Sequence, residues 1–201
     1  TRDQIADFVR ALEGYAGYPT TVIALRLMLL TFVRTVELRG AHWTEIDLER
    51  AEWRIPAERM KARETHLVPL SRQAVELLRE LHTYTGGRGM LFPNYRNPKT
   101  CMTATTLNRA LERMGFNGKD SIGFSAHGFR ATASTILNEI GFRPDVIERQ
   151  LAHAERNKVR ASYNQAEYLE ERRGMMQQWA DMTDEMARVE SKVTPIKRAA
   201  S

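Results

Sequence analysis

The chain has one cysteine, Cys101, among 201 residues. A lone thiol excludes an intrachain disulfide and any cysteine-rich zinc site, and it suits a reducing compartment. No apolar run approaches the ~20 residues that a membrane span requires. The opening, TRDQIADFVR, lacks the long apolar core of a secretory leader, and it begins without Met, which points to a piece of something longer. Five histidines are scattered at 42, 66, 82, 127 and 153, with no HExxH or comparable spacing, so a metal centre has no support in the sequence. No cluster of carboxylates is spaced to hold Mg²⁺, and there is neither an internal repeat nor a low-complexity tract.

What is present is ordinary in bulk. An apolar fraction of 42% suffices for a packed core, and a charged fraction of 27% is usual for a soluble protein. The formal net charge of +5 leans mildly towards a polyanionic partner such as nucleic acid.

Residues 3–14 read as a short helix ending near Gly14. A second helix, capped by Thr20 or Thr21, runs to about Val33, with Leu27, Leu30 and Val33 among its apolar positions. The stretch EIDLERAEWRIPAERMKARETHLVPLS contains three short alternating runs, IDL, EWRIP and THLVPL, separated by charged turns. It predicts a small antiparallel sheet of three strands. Ser71 caps a helix with Ala74, Leu77, Leu78 and Leu81 on one face, closed by Gly86-Gly87. Thr103 or Thr105 opens another, where Leu107, Ala110, Leu111 and Met114 follow the helical repeat and Gly115 ends it. The helix after His127 is expected to bury Phe129, Ala133, Ile136, Leu137 and Ile140 and to stop at Gly141. Pro144 starts the next, with Val146, Ile147 and Leu151 inward. A last long helix from about Ala166 carries Leu169, Met175, Met176, Trp179, Met182 and Met186. The fold class is mainly α with a small antiparallel three-stranded β-sheet (α+β). One domain is expected over 1–185, followed by a disordered tail over 186–201.

Certain polar residues stand in odd places. Arg34 follows the apolar LTFV and lies three residues before Glu37. Lys61 sits in the strand turn ERMKARE. His127 and Arg130 stand three apart where a polar run becomes a helix. A helix start normally favours anions, so a cation there makes sense if the anion comes from outside, as a phosphate would. His153 closes another helix in ERQLAHAE, and Tyr163 follows ten residues later. Each has a plainer reading. Arg34 can pair with Glu37, Lys61 can be a solvated charge, the histidines can cap helices, and Tyr163 can be packing.

Taken together they form an inventory for phosphoryl transfer without a metal. Two arginines offer fixed forks for the non-bridging oxygens of a phosphodiester. Two histidines and a lysine can move protons near neutral pH. A tyrosine can attack and form a covalent intermediate, with the developing charge met by cations and hydrogen bonds.

The order Arg, Lys, His-x-x-Arg, His, Tyr resembles the catalytic domain of the tyrosine recombinases, the phage integrase family. LTFVRTVELRGAHW is similar to its first-arginine box, HGFRATAS to its His-x-x-Arg box, and LAHAERNKVRASYNQAEY to its His-to-Tyr segment. GFRPDVIERQLAHAERNKVRASYN resembles the subgroup from prophages and genomic islands. The resemblance covers about residues 4–183. It implies that Arg34 and Arg130 clamp the scissile phosphate and that Lys61 protonates the leaving 5′ oxygen. His127 would accept or relay the tyrosine proton, His153 would hydrogen-bond a non-bridging oxygen, and Tyr163 would attack to give a 3′-phosphotyrosine. No cofactor and no metal is implied.

The implied partners are double-stranded DNA carrying attachment sites, further copies of the chain in a tetramer, and accessory DNA-bending or excision proteins. No membrane is expected, and the expected setting is the cytoplasm, with the protein bacterial or phage-encoded. Full-length relatives carry N-terminal DNA-binding domains, so the resemblance implies that this sequence is an isolated catalytic domain. One departure concerns the residues after Arg34, where the subgroup reads Pro-Gly and this chain reads Thr35-Val36. The rival readings are a catalytically silent DNA-binding remnant and a type IB topoisomerase-like relaxer of supercoils.

The Met- and Trp-rich stripe of the last helix must be buried somewhere. It can fold back on its own domain or dock on a neighbour. Docking would couple cleavage to assembly, and it predicts that truncation from about Glu170 spares DNA binding while crippling recombination.

Overall fold

A computed structural model describes residues 1–117, 128–153 and 168–188 of the chain. Helix α1 (Arg2–Glu13) is capped by Thr1, whose hydroxyl accepts from the Gln4 backbone while Gln4 reaches back to the chain terminus. Its buried face is Ile5, Ala6, Phe8, Val9 and Leu12. Helix α2 (Pro19–Thr31) begins earlier than a threonine cap predicts. Pro19 occupies the first turn, where its missing N–H costs nothing, and Thr21 is buried inside the helix. Apolar on nearly every side, α2 runs through the middle of the core. It stops at Phe32, which adopts a left-handed backbone (φ 59°).

A short helix α3 (Thr35–Arg39) leads to the expected sheet. Strands β1 (Ile46–Asp47), β2 (Glu52–Ile55) and β3 (His66–Pro69) are antiparallel in the order β1-β2-β3, with Trp53 opposite both Ile46 and Val68. Because the side-chain period is two, this register buries Trp53 and Ile55 on one face and leaves Arg54 exposed on the other. Helix α4 (Arg72–Thr85) follows, with Ser71 as its cap and a left-handed Gly86 at its end. Helix α5 (Ala104–Arg113) is capped by Thr103. Helix α6 (Gly128–Glu139) buries Phe129, Ala133, Ile136 and Leu137; Ile140 lies just past its end and is half-buried. Helix α7 is Pro144–Gln150.

The last described helix, α8 (Leu169–Arg188), runs three residues into the stretch read as a tail. Its stripe settles on its own domain, against α1, α2, α7 and β3. Met175, Met176 and Trp179 are fully buried, the Trp179 indole N–H donates to the Leu29 carbonyl at 2.9 Å, and its ring meets Phe32 edge-on at 5.4 Å. Polar ties fix the flanks: Arg10 donates to the Met186 carbonyl, Arg26 pairs with Asp184, and Gln73 donates to Asp181 and Asp184. Of the two destinations, the described helix takes the first: its apolar face is covered by its own domain. Among the described residues no helix is long and apolar enough to cross a membrane.

Candidate active site

The end of α2 and the end of α7 meet, and each turns left-handed on a residue other than glycine: Phe32, and Ala152 with φ 50°. Helix ends leave carbonyls without intrahelical partners, and here two arginines take them. Arg130, from the first turn of α6, sends one guanidinium nitrogen to the Phe32 carbonyl and the other to the Leu151 carbonyl. Arg34 donates to the next carbonyl along, that of Ala152, at 3.3 Å. Cations at helix C-termini are electrostatically favoured as well.

Glu37 holds Arg34 in place. One carboxylate oxygen accepts from the Arg34 backbone N–H and the other from its Nη1, each at 2.7 Å. Glu37 itself is only 2% exposed, whereas the Arg34 side chain keeps 25% of its surface open. The Thr35-Val36 departure is absorbed as the first turn of α3, with Val36 in solvent, and it leaves the Arg34–Glu37 pair intact.

Arg130 is 6% exposed, and its pKa is pushed down to about 10, first by burial and then by the positive charge of Arg34. It remains a cation at neutral pH. Two like charges near one another in a partly desolvated place are unfavourable alone, and an anion bound between them would relieve the repulsion.

His153 stands one residue beyond Ala152, half exposed, with Nδ1 hydrogen-bonded to Glu148. That contact orients the ring and leaves Nε2 as the atom to face a ligand. The structure therefore brings Arg34, Arg130 and His153 to one place.

Lys61 is exposed on the β2–β3 turn. The turn is tied back towards Arg34: Arg59 donates to the Glu37 carbonyl and to the Glu45 carboxylate, and Met60 is buried. His127 and Tyr163 lie outside the described residues, as does the stretch from 189 onward that the sequence predicts to be disordered.

Beneath the arginines lies a buried polar cluster that the sequence reading passed over. Gln150 donates to the Thr31 carbonyl at 2.9 Å and accepts from Arg172 Nε at 3.0 Å, and Arg172 also donates to the Leu67 carbonyl. His66 is buried beside them, its pKa pushed down to about 3 by burial and by the charges of Arg172, Arg149 and Arg130. A signal existed: Arg172 falls on the stripe Leu169, Met176, Trp179, and Gln150 falls on the face of Val146 and Ile147. A polar residue at an apolar position asks for a partner. Among the described residues no group of three or more His, Cys, Asp or Glu could hold a metal ion.

The sequence pattern of the "Phage integrase family" matches residues 1–170. The integrase of Enterobacteria phage P4 is 45% identical over 192 residues, covering 89% of this chain and 43% of that protein. In three dimensions the chain is similar to the integrase from mycobacterium phage Brujita, with a TM-score of 0.62 at 19% identity, covering 95% of this chain and 59% of that one. It is also similar to the XerH site-specific recombinase bound to difH substrate, with a TM-score of 0.60 at 16% identity, covering 79% of this chain and 50% of that one. The chain spans less than half the length of the curated relatives it matches. With a family pattern running through Arg34, Arg130 and His153 and on past Tyr163, the chain belongs to the phage integrase family.

Proposed function

We propose that this chain is the catalytic part of a site-specific DNA recombinase that breaks and rejoins strands through a 3′-phosphotyrosine, serving integration or excision of a mobile element. The observation that carries the reading is the adjacency of Arg34 and Arg130 at the junction of two helix ends, with His153 beside them. That arrangement suits the two non-bridging oxygens of one phosphodiester.

Arg34 and Arg130 bind those oxygens and stabilise the charge that builds at the pentacoordinate phosphorus. His153 donates a hydrogen bond to one of them. The Tyr163 oxygen attacks phosphorus while its proton passes to His127. The bond from phosphorus to the 5′ oxygen breaks, and Lys61 supplies the proton that leaves a 5′ hydroxyl. The new phosphotyrosine ester retains the phosphodiester's reactivity, so a 5′ hydroxyl from another strand reverses the step without a nucleotide cofactor. Duplex DNA is the substrate. A tetramer on paired sites, helped by accessory DNA-bending or excision proteins in the cytoplasm, is the working assembly.

The test is a nicked duplex bearing the junction sequence of the parent element, from which the cleaved 5′ end diffuses away and traps the intermediate. A covalent protein–DNA band on a denaturing gel, lost in Tyr163→Phe, is expected. A protein that binds the duplex but yields no covalent band is a binding module. A protein that forms the band but never joins two marked duplexes is a topoisomerase.

A further inference from the structure

Among the described residues no carboxylate hydrogen-bonds Arg130, and its hydrogen bonds there go to main-chain carbonyls at the ends of separate helices. Its aim therefore depends on how the end of α2 sits against the end of α7. The residue before each of those carbonyl-bearing ends is joined to the other: Gln150, the last residue of α7, donates to Thr31, the last residue of α2. Gln150 is fully buried, and hydrogen bonds to both its N–H₂ and its oxygen fix which way the amide points. Arg172 holds it with two donors, Nε at 3.0 Å and Nη2 at 2.9 Å, and spends a further bond on the Leu67 carbonyl of β3.

Arg172 is 2% exposed, and burial pushes its pKa down to about 9, with Arg149 lowering it further. Among the described residues no carboxylate forms an ion pair with it. A buried cation satisfied only by an amide and a carbonyl is a poor way to stabilise a core, so a reason other than stability is needed for it.

We infer that Gln150 and Arg172 are positioning residues for the catalytic arginines: they lock the end of α2 to the end of α7 so that the Phe32, Leu151 and Ala152 carbonyls aim Arg130 and Arg34 at the phosphate. The inference rests on the proposed role of those two arginines. Arg172 never meets the substrate. It fixes the Gln150 amide, the amide fixes the helix junction, and the junction fixes the guanidinium. The same junction sets the place of His153, two residues past Leu151.

The test is the paired replacement Gln150→Leu with Arg172→Met in the full-length parent protein. Both side chains leave together, so neither is stranded without the other; the Thr31 and Leu67 carbonyls each lose one donor, and apolar replacements of buried ionic groups are often neutral for stability. We expect the pair variant to unfold within a few degrees of the parent and to bind duplex DNA as tightly, while forming the covalent adduct on a nicked junction duplex about 100-fold more slowly, the scale of an ångström-sized misplacement. The Arg130 Nε–H resonance, resolved by ¹⁵N labelling, should move towards the position of a free arginine. A folded pair variant that cleaves at the parental rate overturns the inference, and so does lost cleavage with the Arg130 resonance unmoved. If the pair fails to fold, Gln150→Glu alone carries the test, since it keeps the length of the side chain and an oxygen for Arg172 while removing the donor to Thr31. Arg130→Ala is run alongside. Should it cleave normally, the phosphate-clamp reading itself is wrong; should it be inactive while the pair variant is normal, only the positioning role falls.

Discussion

Glu37 grips Arg34 at both ends, one carboxylate oxygen on its backbone N–H and the other on its guanidinium, each at 2.7 Å. The residue that starts α3 and the cation that reaches the helix junction are thus fixed by a single buried acid. Glu37→Gln keeps the shape but removes the counter-charge and offers N–H₂ where an acceptor is needed. Covalent adduct formation should fall about 100-fold, while DNA affinity, measured at fixed salt, stays within a few-fold. Unchanged cleavage would show that Arg34 finds its place without the acid.

Two tyrosines close to one another in sequence separate the nucleophile from its surroundings. Tyr168 is engaged elsewhere: its ring lies under the Arg143 guanidinium at 5.1 Å, and the neighbouring Asp145 carboxylate pushes its pKa up. Tyr163→Phe should abolish the covalent band and Tyr168→Phe should leave it. The reverse pattern on a denaturing gel would move the nucleophile.

On the proposed mechanism the charge is met by Arg34, Arg130 and His153, so cleavage should persist in excess EDTA and need no nucleotide. Activity lost to EDTA and restored by Mg²⁺ would contradict the proposed step.

Acid sensitivity should have a component from His66. Its folded-state pKa, about 3, lies below the ordinary 6.5. The unfolded chain therefore takes up a proton that the folded chain refuses. The stability due to this residue is complete above about pH 6.5 and declines as pH falls towards 3, by about 1.4 kcal/mol per pH unit at the steepest. Other titratable groups contribute to the same slope, so the measurement is a difference. Denaturant unfolding of the parent and of His66→Gln from pH 7 to pH 4 should show the shallower pH slope in the variant. Parallel slopes would mean that His66 is protonated in the fold.

Trp179→Ala should damage the domain itself. It removes a fully buried indole, its bond to Leu29 and its contact with Phe32, a change that typically costs about 3–5 kcal/mol. That is a large share of the ~5–15 kcal/mol by which domains are stable. Thermal unfolding of the monomer reads it directly. A variant as stable as the parent but defective only in joining paired sites would return α8 to a role between subunits.

Much of this architecture was legible because its signals are local. Ser71, Thr103, Gly86 and Pro144 mark helix ends through chemistry confined to one turn, and the alternation around Trp53 marks the sheet. The start of α2 was misread because a plausible threonine cap outcompeted Pro19. The destination of α8 was not legible at all, since an apolar stripe says that a face is buried and not against what. In the site, Arg34, Arg130 and His153 stood out as charges near apolar segments. Gln150 and Arg172 carried only the weaker signal of a polar residue on an apolar face, because their partners, each other and main-chain carbonyls, have no side-chain signature.

The left-handed turns at Phe32 and Ala152 have a consequence for how this protein can vary. Each departs from the backbone that L-residues prefer, at a cost of about 1–2 kcal/mol. What the site takes from these turns is the direction of a carbonyl, not a side chain. Glycine at 152 would keep the turn, whereas Ala152→Pro could not adopt it, and Val33→Pro would drive Phe32 towards extended backbone. A saturation scan of these positions should therefore read as a map of forbidden prolines rather than of required side chains, and it should place inactivating changes at residues that never approach DNA.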